Sequence, residues 1–379
     1  MTGGCVTRRH TTIPGLTACT GGTADAAGDP WLSTGVDGTA YLTGVAATFS
    51  PEGRIAEIVA SHSNDRGRSW AEVVTVAPPD LRNDKPAITA DPRVPGRAYV
   101  SWGQLGHAVQ LPLREPPRVR AHGRRWCDLV RASRHRRAAT ERGGSLQRGA
   151  RSAGGSLLAV FERIKIAFNL TATEVFFATR SVDGGDTWLP PAEIGSMPIV
   201  PLSDPETGEP LPQPGFLSAA SGRDGDVYVV WEHQRSPTSA TIDVARSQDG
   251  GLTWSVAPLP GVSAFAFEPT VAVDSRGTVG VTWYDLRNDV PGDAALSADY
   301  WFAHSDDAGD SWRQTHVAGP TDLRTAPLAA HNRVGEYQGL AAFRTGFAAA
   351  FTLAAPQAKH GPTDIFFARI VPSERHDDD

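Results

Sequence analysis

Ser181-Val182-Asp183-Gly184-Gly185-Asp186-Thr187-Trp188 decides the fold, because the chain repeats it. The pattern S-x-D-x-G-x-[ST]-W also reads Ser63-Asn64-Asp65-Arg66-Gly67-Arg68-Ser69-Trp70, Ser247-Gln248-Asp249-Gly250-Gly251-Leu252-Thr253-Trp254 and Ser305-Asp306-Asp307-Ala308-Gly309-Asp310-Ser311-Trp312. In chain order the copies start 118, 66 and 58 residues apart. The first gap is about two repeats long, as if one copy were lost.

Each copy has a local physical meaning. A short apolar strand runs into it, at 55–60, 175–179, 242–245 and 300–303. The Asp can accept hydrogen bonds from turn N–H groups, the Gly supplies a positive φ, and the Trp begins the next strand and packs under the hairpin. Asp65, Asp183, Asp249 and Asp307 are therefore expected to be structural turn formers, not catalysts.

A second pattern precedes each box: an apolar strand, a Gly-containing turn, and an apolar strand often ending in Trp. Examples are 86–90 with 98–102, 216–220 with 227–231, and 270–273 with 279–283. The two halves give four strands per repeat, the spacing of propeller blades. Six repeats are expected: 29–78, one starting near 84, one ending near 195, then 213–260, 267–319 and 335–371. The predicted fold class is all-β, a six-bladed β-propeller of four-stranded antiparallel blades, interrupted by an irregular Arg-rich segment at about 104–154. Residues 1–28 read as an N-terminal extension, 29–371 as the propeller and 372–379 as an acidic tail.

Composition agrees with an all-β chain. There are 379 residues, 40% hydrophobic and 21% charged, with 39 Gly and 29 Pro but 2 Met. No apolar run is long enough to span a membrane, and a net charge of −6 argues against a general polyanion binder. No nucleic-acid partner and a monomeric state are expected. Residues 104–154 depart from the rest, with twelve Arg, no Lys, and Glu115, Asp128 and Glu141 as the acidic residues. Such text reads first as GC-rich coding in the wrong frame, second as a basic patch for nucleic acid or acidic glycan, or as a solvated run. Cys5 and Cys19 could pair, leaving Cys127 over; no C-x-x-C or H-E-x-x-H metal spacing occurs. The N-terminus has no apolar core of a signal peptide. No cofactor is expected, although acidic loops such as 285–289 could hold Ca2+ without full calcium-loop spacing.

Neighbouring strands run antiparallel, so the start of strand 1 and the end of strand 2 lie at one end of each blade. That end collects Asp29, Trp31, Asp84, Lys85, Gln213, Glu268, Glu336 and Tyr337 from strand 1. From strand 2 it collects Gln104, Glu232, His233, Arg235, Tyr284, Asp285, Arg287, Asn288 and Asp289, with Arg333 before the last blade. The set suits a polar, anionic, hydroxyl-rich ligand, since Arg can hold a carboxylate through two parallel hydrogen bonds. Charged residues also gather at loop ends for solubility, and Trp283–Asp289 could be an ion-pair network pinning neighbouring blades.

The four boxes resemble the Asp-box (BNR) repeats of the sialidase superfamily, over nearly the whole chain outside 104–154. That resemblance implies a six-bladed propeller, secretion, and a sialylated or other acidic glycan as partner. It implies a retaining exo-sialidase with a Tyr nucleophile, a Glu that takes the phenol proton, an Asp acid/base and three Arg on the substrate carboxylate. By position Tyr337, in Gly335-Glu336-Tyr337-Gln338-Gly339-Leu340, matches the nucleophile. Glu268-Pro269 resembles the Glu-Pro of the base, one blade late. Asp84 or Asp285 would donate the proton. Arg235, Arg287 and Arg333 would grip the substrate, with Glu232 and Trp31 lining the site. The F/Y-R-I-P motif of the first arginine is absent, Asp29-Pro30-Trp31-Leu32 standing in its place. Exo-sialidase activity leads; a non-catalytic propeller that binds glycan or protein, or a degraded relative, are the alternatives.

Overall fold

The computed structural model describes residues 11–51, 53–81, 83–104, 119–121, 146–147, 156–167, 171–211, 217–222, 225–262, 265–327, 334–343, 346–357 and 361–372. The chain divides into two compact units, Met1–Leu146 and Gln147–Asp379. In the first, β1 (Ala26–Thr34), β2 (Ala40–Ser50), β3 (Gly53–Ser63) and β4 (Val74–Asp80) form one antiparallel sheet in chain order. β5 (Asn83–Ala90), β6 (Ala98–Gln104) and β7 (Val119–Ala121) form another. Tyr41, Val45, Ile58 and Val76 pack against Ile88, Val100 and Trp102, which joins the two sheets face to face.

β8 (Leu146–Gln147) lies at the boundary. The second unit opens with β9 (Leu157–Ile166), β10 (Ala172–Ser181) and β11 (Ala192–Pro198), paired antiparallel. Next come β12 (Ser218–Ser221), β13 (Val227–Ser236), β14 (Ser239–Ser247) and β15 (Ser255–Pro258), then β16 (Ala266–Val273), β17 (Val279–Asp285), β18 (Ser297–Ser305) and β19 (Arg313–Asp322). The last sheet is β20 (Gly339–Phe343), β21 (Gly346–Ala354) and β22 (Thr363–Ile370).

Packing explains the sequence text of these strands. Every residue of β17 is buried, because both faces of its sheet are covered. Val281 and Trp283 meet Tyr228, Val230 and Ile242 on one side, while Tyr284, Tyr300 and Phe302 meet Phe347 and Phe351 on the other. A strand buried on both faces reads as a nearly continuous apolar run, as Val279–Asp285 does. Outermost β15 is exposed throughout. Gly280 makes the β17–β21 seam close: a Cβ there would lie 2.7 Å from Phe347 and 2.8 Å from Phe302.

The fold is an all-β propeller of small antiparallel blades, but among the described residues five blades are found and not the expected six. The sheet of β5–β7 shows why the repeat falters. Its third strand spans three residues inside the Arg-rich segment, where the apolar alternation that would bury a strand is missing. Apart from β7 and β8, residues 105–155 lie outside the described residues, as do Cys5, Cys127 and most of the tail; Cys19 is exposed. Among the described residues, no helix is long and apolar enough to cross a membrane.

The four boxes share one hydrogen-bond plan. In the second, Ser181 Oγ donates to Asp183 Oδ1 at 2.7 Å and accepts from Gly185 N at 2.8 Å. Asp183 Oδ1 accepts from Thr187 N at 2.9 Å. The same bonds recur around Asp65, Asp249 and Asp307. Trp188, Trp254 and Trp312 donate their indole N–H to the box glycine's carbonyl at 3.1, 3.2 and 3.0 Å. Each Trp precedes the next strand and does not begin it. The Ser69 hydroxyl and amide hold the Asp65 carboxyl down at about 2.

Candidate functional site

Trp31 and Asp84 belong to the first unit. Trp31 is half-buried against the Tyr41–Trp102 core. Asp84 pairs with Arg54 at 3.0 Å. Burial, then the Asp29 charge, raise its carboxyl, against the pull of Arg54 and Lys85. Lys85 Nζ lies 3.9 Å from Asp29 Oδ1. Gln213 and Arg333 lie outside the described residues.

The second unit brings together three of the acidic side chains. Glu232 comes from β13, where it pairs with Ile242 of β14. Glu268 comes from β16, at a register shift between Phe267 and Thr270. There its φ is 54°, a left-handed conformation held immediately before Pro269. The same conformation occurs before Pro30 at Asp29 (φ 53°) and before Pro86 at Lys85 (φ 48°), each inside a register shift. Glu232 is 1% exposed and Glu268 4%. Both Glu232 carboxyl oxygens are buried without a hydrogen-bond partner among the described residues. Burial first, then the charges of Glu268 and Glu174, push the Glu232 carboxyl far above the ordinary range. Glu174 stands on β10 and is buried, as is Glu162 on β9. Sequence reasoning missed both, because a lone Glu within an apolar strand has no motif.

Tyrosines adjoin this cluster. The Tyr284 hydroxyl lies 2.7 Å from Thr352 O and 3.1 Å from Gln338 Oε1, and accepts from Thr352 N at 3.1 Å. Burial, then Tyr300, raise the Tyr284 phenol; Glu268 adds to the rise. Tyr300 is raised by burial, with Glu268 again contributing. Tyr284 stacks on Phe267 at a centroid distance of 5.2 Å and meets Tyr300 tilted, at 4.7 Å. Tyr337, half-buried, directly precedes Gln338 and so adjoins the same network.

The described site arginines, Arg235 and Arg287, are engaged by the protein itself. Arg287 binds Asp285 through Nε and Nη2, at 2.8 and 2.5 Å from Oδ2, and donates Nη1 to Gln314 Oε1 at 2.8 Å. The Asp285 carboxylate also takes the Trp283 indole N–H at 2.9 Å. Arg235 donates to Asp243 Oδ1 at 3.2 Å and contacts His233 Nε2 at 3.1 Å, while His233 Nδ1 lies 2.6 Å from Asp243 Oδ2. Trp283–Asp289 thus forms a polar network that bonds to β18 and β19 of its own sheet, with Asn288 Nδ2 donating to Asp299 Oδ2 at 2.9 Å. Asp289 Oδ1 accepts from Ser297 N at 2.7 Å. Among the described residues, no three His, Cys, Asp or Glu side chains are grouped to hold a metal ion.

The sequence also gave no hint of Arg324. It binds Asp204, 120 positions earlier, with Nε and Nη2 at 3.0–3.2 Å, and Glu206 Oε2 at 2.7 Å.

No protein-family profile matches the sequence, and no curated protein does. Solved structures do match in fold. The α-L-arabinofuranosidase of Fusarium graminearum, of family GH93 and in complex with arabinobiose, is 13% identical. It covers 90% of this chain and 93% of its own, with a TM-score of 0.51. The Trypanosoma rangeli sialidase, complexed with difluorosialic acid, is 11% identical over 96% of this chain, with a TM-score of 0.47. The chain spans 57% of that sialidase's length. The likeness is one of fold: this is a propeller like those of glycoside hydrolases.

Proposed function

We propose that the chain is a glycan-directed glycoside hydrolase that removes a terminal sugar, with Glu232 as proton donor and Glu268 as its partner. The observation that carries this reading is the buried pair itself. Two carboxyls sharing a dry site cannot both ionise, so one keeps its proton at neutral pH. Burial, then Glu268 and Glu174, push the Glu232 carboxyl upward, which favours it as the one that holds the proton, and a protonated carboxyl is what a departing glycosidic oxygen needs. Asp285, an alternative donor by sequence, is committed to Arg287 and Trp283. In the sialidase form of the proposal Tyr337 attacks the anomeric carbon, Glu268 takes its proton and the leaving oxygen takes the proton of Glu232. Sialosides are the first substrates to try, and secretion to where such glycans occur belongs to the same proposal.

The test is release of a fluorogenic aglycone from an α-sialoside and from an α-L-arabinofuranoside, by wild type, Glu232→Gln and Tyr337→Phe. Turnover that falls at least about a hundredfold in Glu232→Gln supports the donor assignment. A Glu232→Gln protein with undiminished rate removes it.

A second reading has its own observation. Glu232 is 1% exposed and the described arginines of the site hold the protein's own carboxylates. That favours a glycan-binding propeller without turnover. Calorimetric binding of a sialyl-oligosaccharide, with no sugar released, would select it.

A further inference from the structure

A loop is fastened to residues that flank Glu232 and Glu268. Residues 199–211, between β11 and β12, leave the third sheet and cross toward the fifth. At the start Val200 N donates to Gln234 Oε1 at 2.6 Å and Ser203 N to Pro237 O at 2.7 Å. Gln234 stands two positions after Glu232 on the same strand and so on the same face. The segment then closes on itself, Leu211 N donating to Leu202 O at 2.8 Å, which makes it a compact loop with adjacent ends. Leu202 and Leu211 are buried in a cluster with Phe265, Phe267, Leu286 and Leu323. Phe267 is the residue before Glu268. The root of the loop therefore rests on the neighbours of both acids.

Its tip is held differently. Asp204, 2% exposed, and Glu206 both grip Arg324, which also donates Nη1 to Ala295 O at 2.9 Å. Glu206 Oε1 accepts from Gly292 N at 2.5 Å. The Arg324 guanidinium thus ties the loop to Ala295 and to 322–326, and Glu206 ties it to Gly292, through charge-assisted hydrogen bonds. The fastening at the tip is charged, whereas the root combines apolar packing with two hydrogen bonds.

We propose that residues 199–211 are a strap that closes over the Glu232–Glu268 pair, with Arg324 as its latch, and that ligand enters when the latch opens. The inference rests on the functional reading in one respect, namely that the acids must meet a ligand. In the closed form no sugar can touch a carboxyl that is 1% exposed. Arg324 is a positioning residue: it acts on the strap and not on the sugar.

The test needs no substrate. A water-soluble carbodiimide with glycine amide couples to protonated, accessible carboxyls, and mass spectrometry locates the adduct. Wild type should label slowly at Glu232. Arg324→Gln should label about tenfold faster or more, as loss of charge-assisted bonds implies. Amide exchange at Val200, Ser203 and Leu211 should quicken in the same variant, while exchange in β9 and β10 stays unchanged. If Arg324→Gln does not fold, Glu206→Gln, which removes the more exposed partner of the latch, replaces it, with the same faster labelling expected. Fast strap exchange with Glu232 still protected would overturn the proposal, and so would unchanged exchange and labelling. Glycoside turnover is a separate readout, so a gated protein that cleaves nothing sinks the hydrolase reading and leaves the strap standing.

Discussion

The guanidinium of Arg287 is wrapped onto the carboxylate of Asp285, two residues before it, while its Cζ lies 4.0 Å from the ring centroid of Trp301. Asp285 is fully buried, so this pair holds a desolvated charge in place. Removing one partner strands the other. Arg287→Ala should cost about 3 kcal/mol in urea unfolding, and Arg287→Lys should recover part of it, since Lys lacks the planar fork. A substrate clamp would behave otherwise, with unchanged stability and a raised KM.

Glu232 makes stability depend on pH. Its folded carboxyl titrates well above the ordinary value, so the native state binds the extra proton. Stability from this group is complete below the unfolded pKa of about 4.3 and is lost as pH rises toward the folded value. Glu232→Gln removes that slope. The variant should gain stability relative to wild type at neutral pH and lose that advantage near pH 4 (roughly the unfolded carboxyl pKa). Parallel denaturation curves with a constant difference across this range would rule it out.

Glu268 carries backbone strain. A non-glycine side chain at φ 54° is disfavoured by about 1–2 kcal/mol. Glu268→Gly should therefore be more stable than Glu268→Ala by about 1 kcal/mol, despite the chain entropy that Gly loses on folding. Equal melting temperatures for the two variants would mean that the left-handed conformation is relaxed in solution.

His304 is 3% exposed, with both ring nitrogens buried and without hydrogen-bond partners among the described residues. Burial lowers its pKa, against a smaller opposing effect of Asp306. A depressed histidine disfavours the native state in acid: stability falls as pH drops below the unfolded value of about 6.5. His304→Phe should flatten this limb of the stability curve. A limb of unchanged steepness would assign the acid sensitivity to other groups.

Gly280 is the tight point between β17 and β21. Adding a methyl there drives the rings of Phe302 and Phe347 apart. Gly280→Ala should destabilise by about 1–3 kcal/mol. The control is Gly277→Ala, with nothing near its Cβ position, where the cost comes from the positive φ alone.

How much of this could be read beforehand depends on the range of the interaction. The box turns are local: Ser, Asp, Gly and Thr bond within five residues, and their spacing carries the geometry. Apolar strands such as Val279–Asp285 announce double-sided burial in their own text. The blade count failed where that text fails, beyond β6. The acid cluster needed three dimensions, because Glu174, Glu232 and Glu268 come from three different sheets. The Arg324–Asp204 contact is longer still in sequence, and no motif spans it. Arg287 was legible as one of two readings, and only its contacts with Asp285 and Gln314 show what occupies it.

Asp29, Lys85 and Glu268 occupy one backbone conformation, before a proline and inside a bulge, yet they carry charges of either sign. The proline and the register shift set the path of the chain at all three positions, whichever charge the side chain there carries. Such a position is a socket: its occupant can be exchanged by a single substitution without redrawing the sheet. A scaffold with several sockets can change what it recognises faster than it changes its shape.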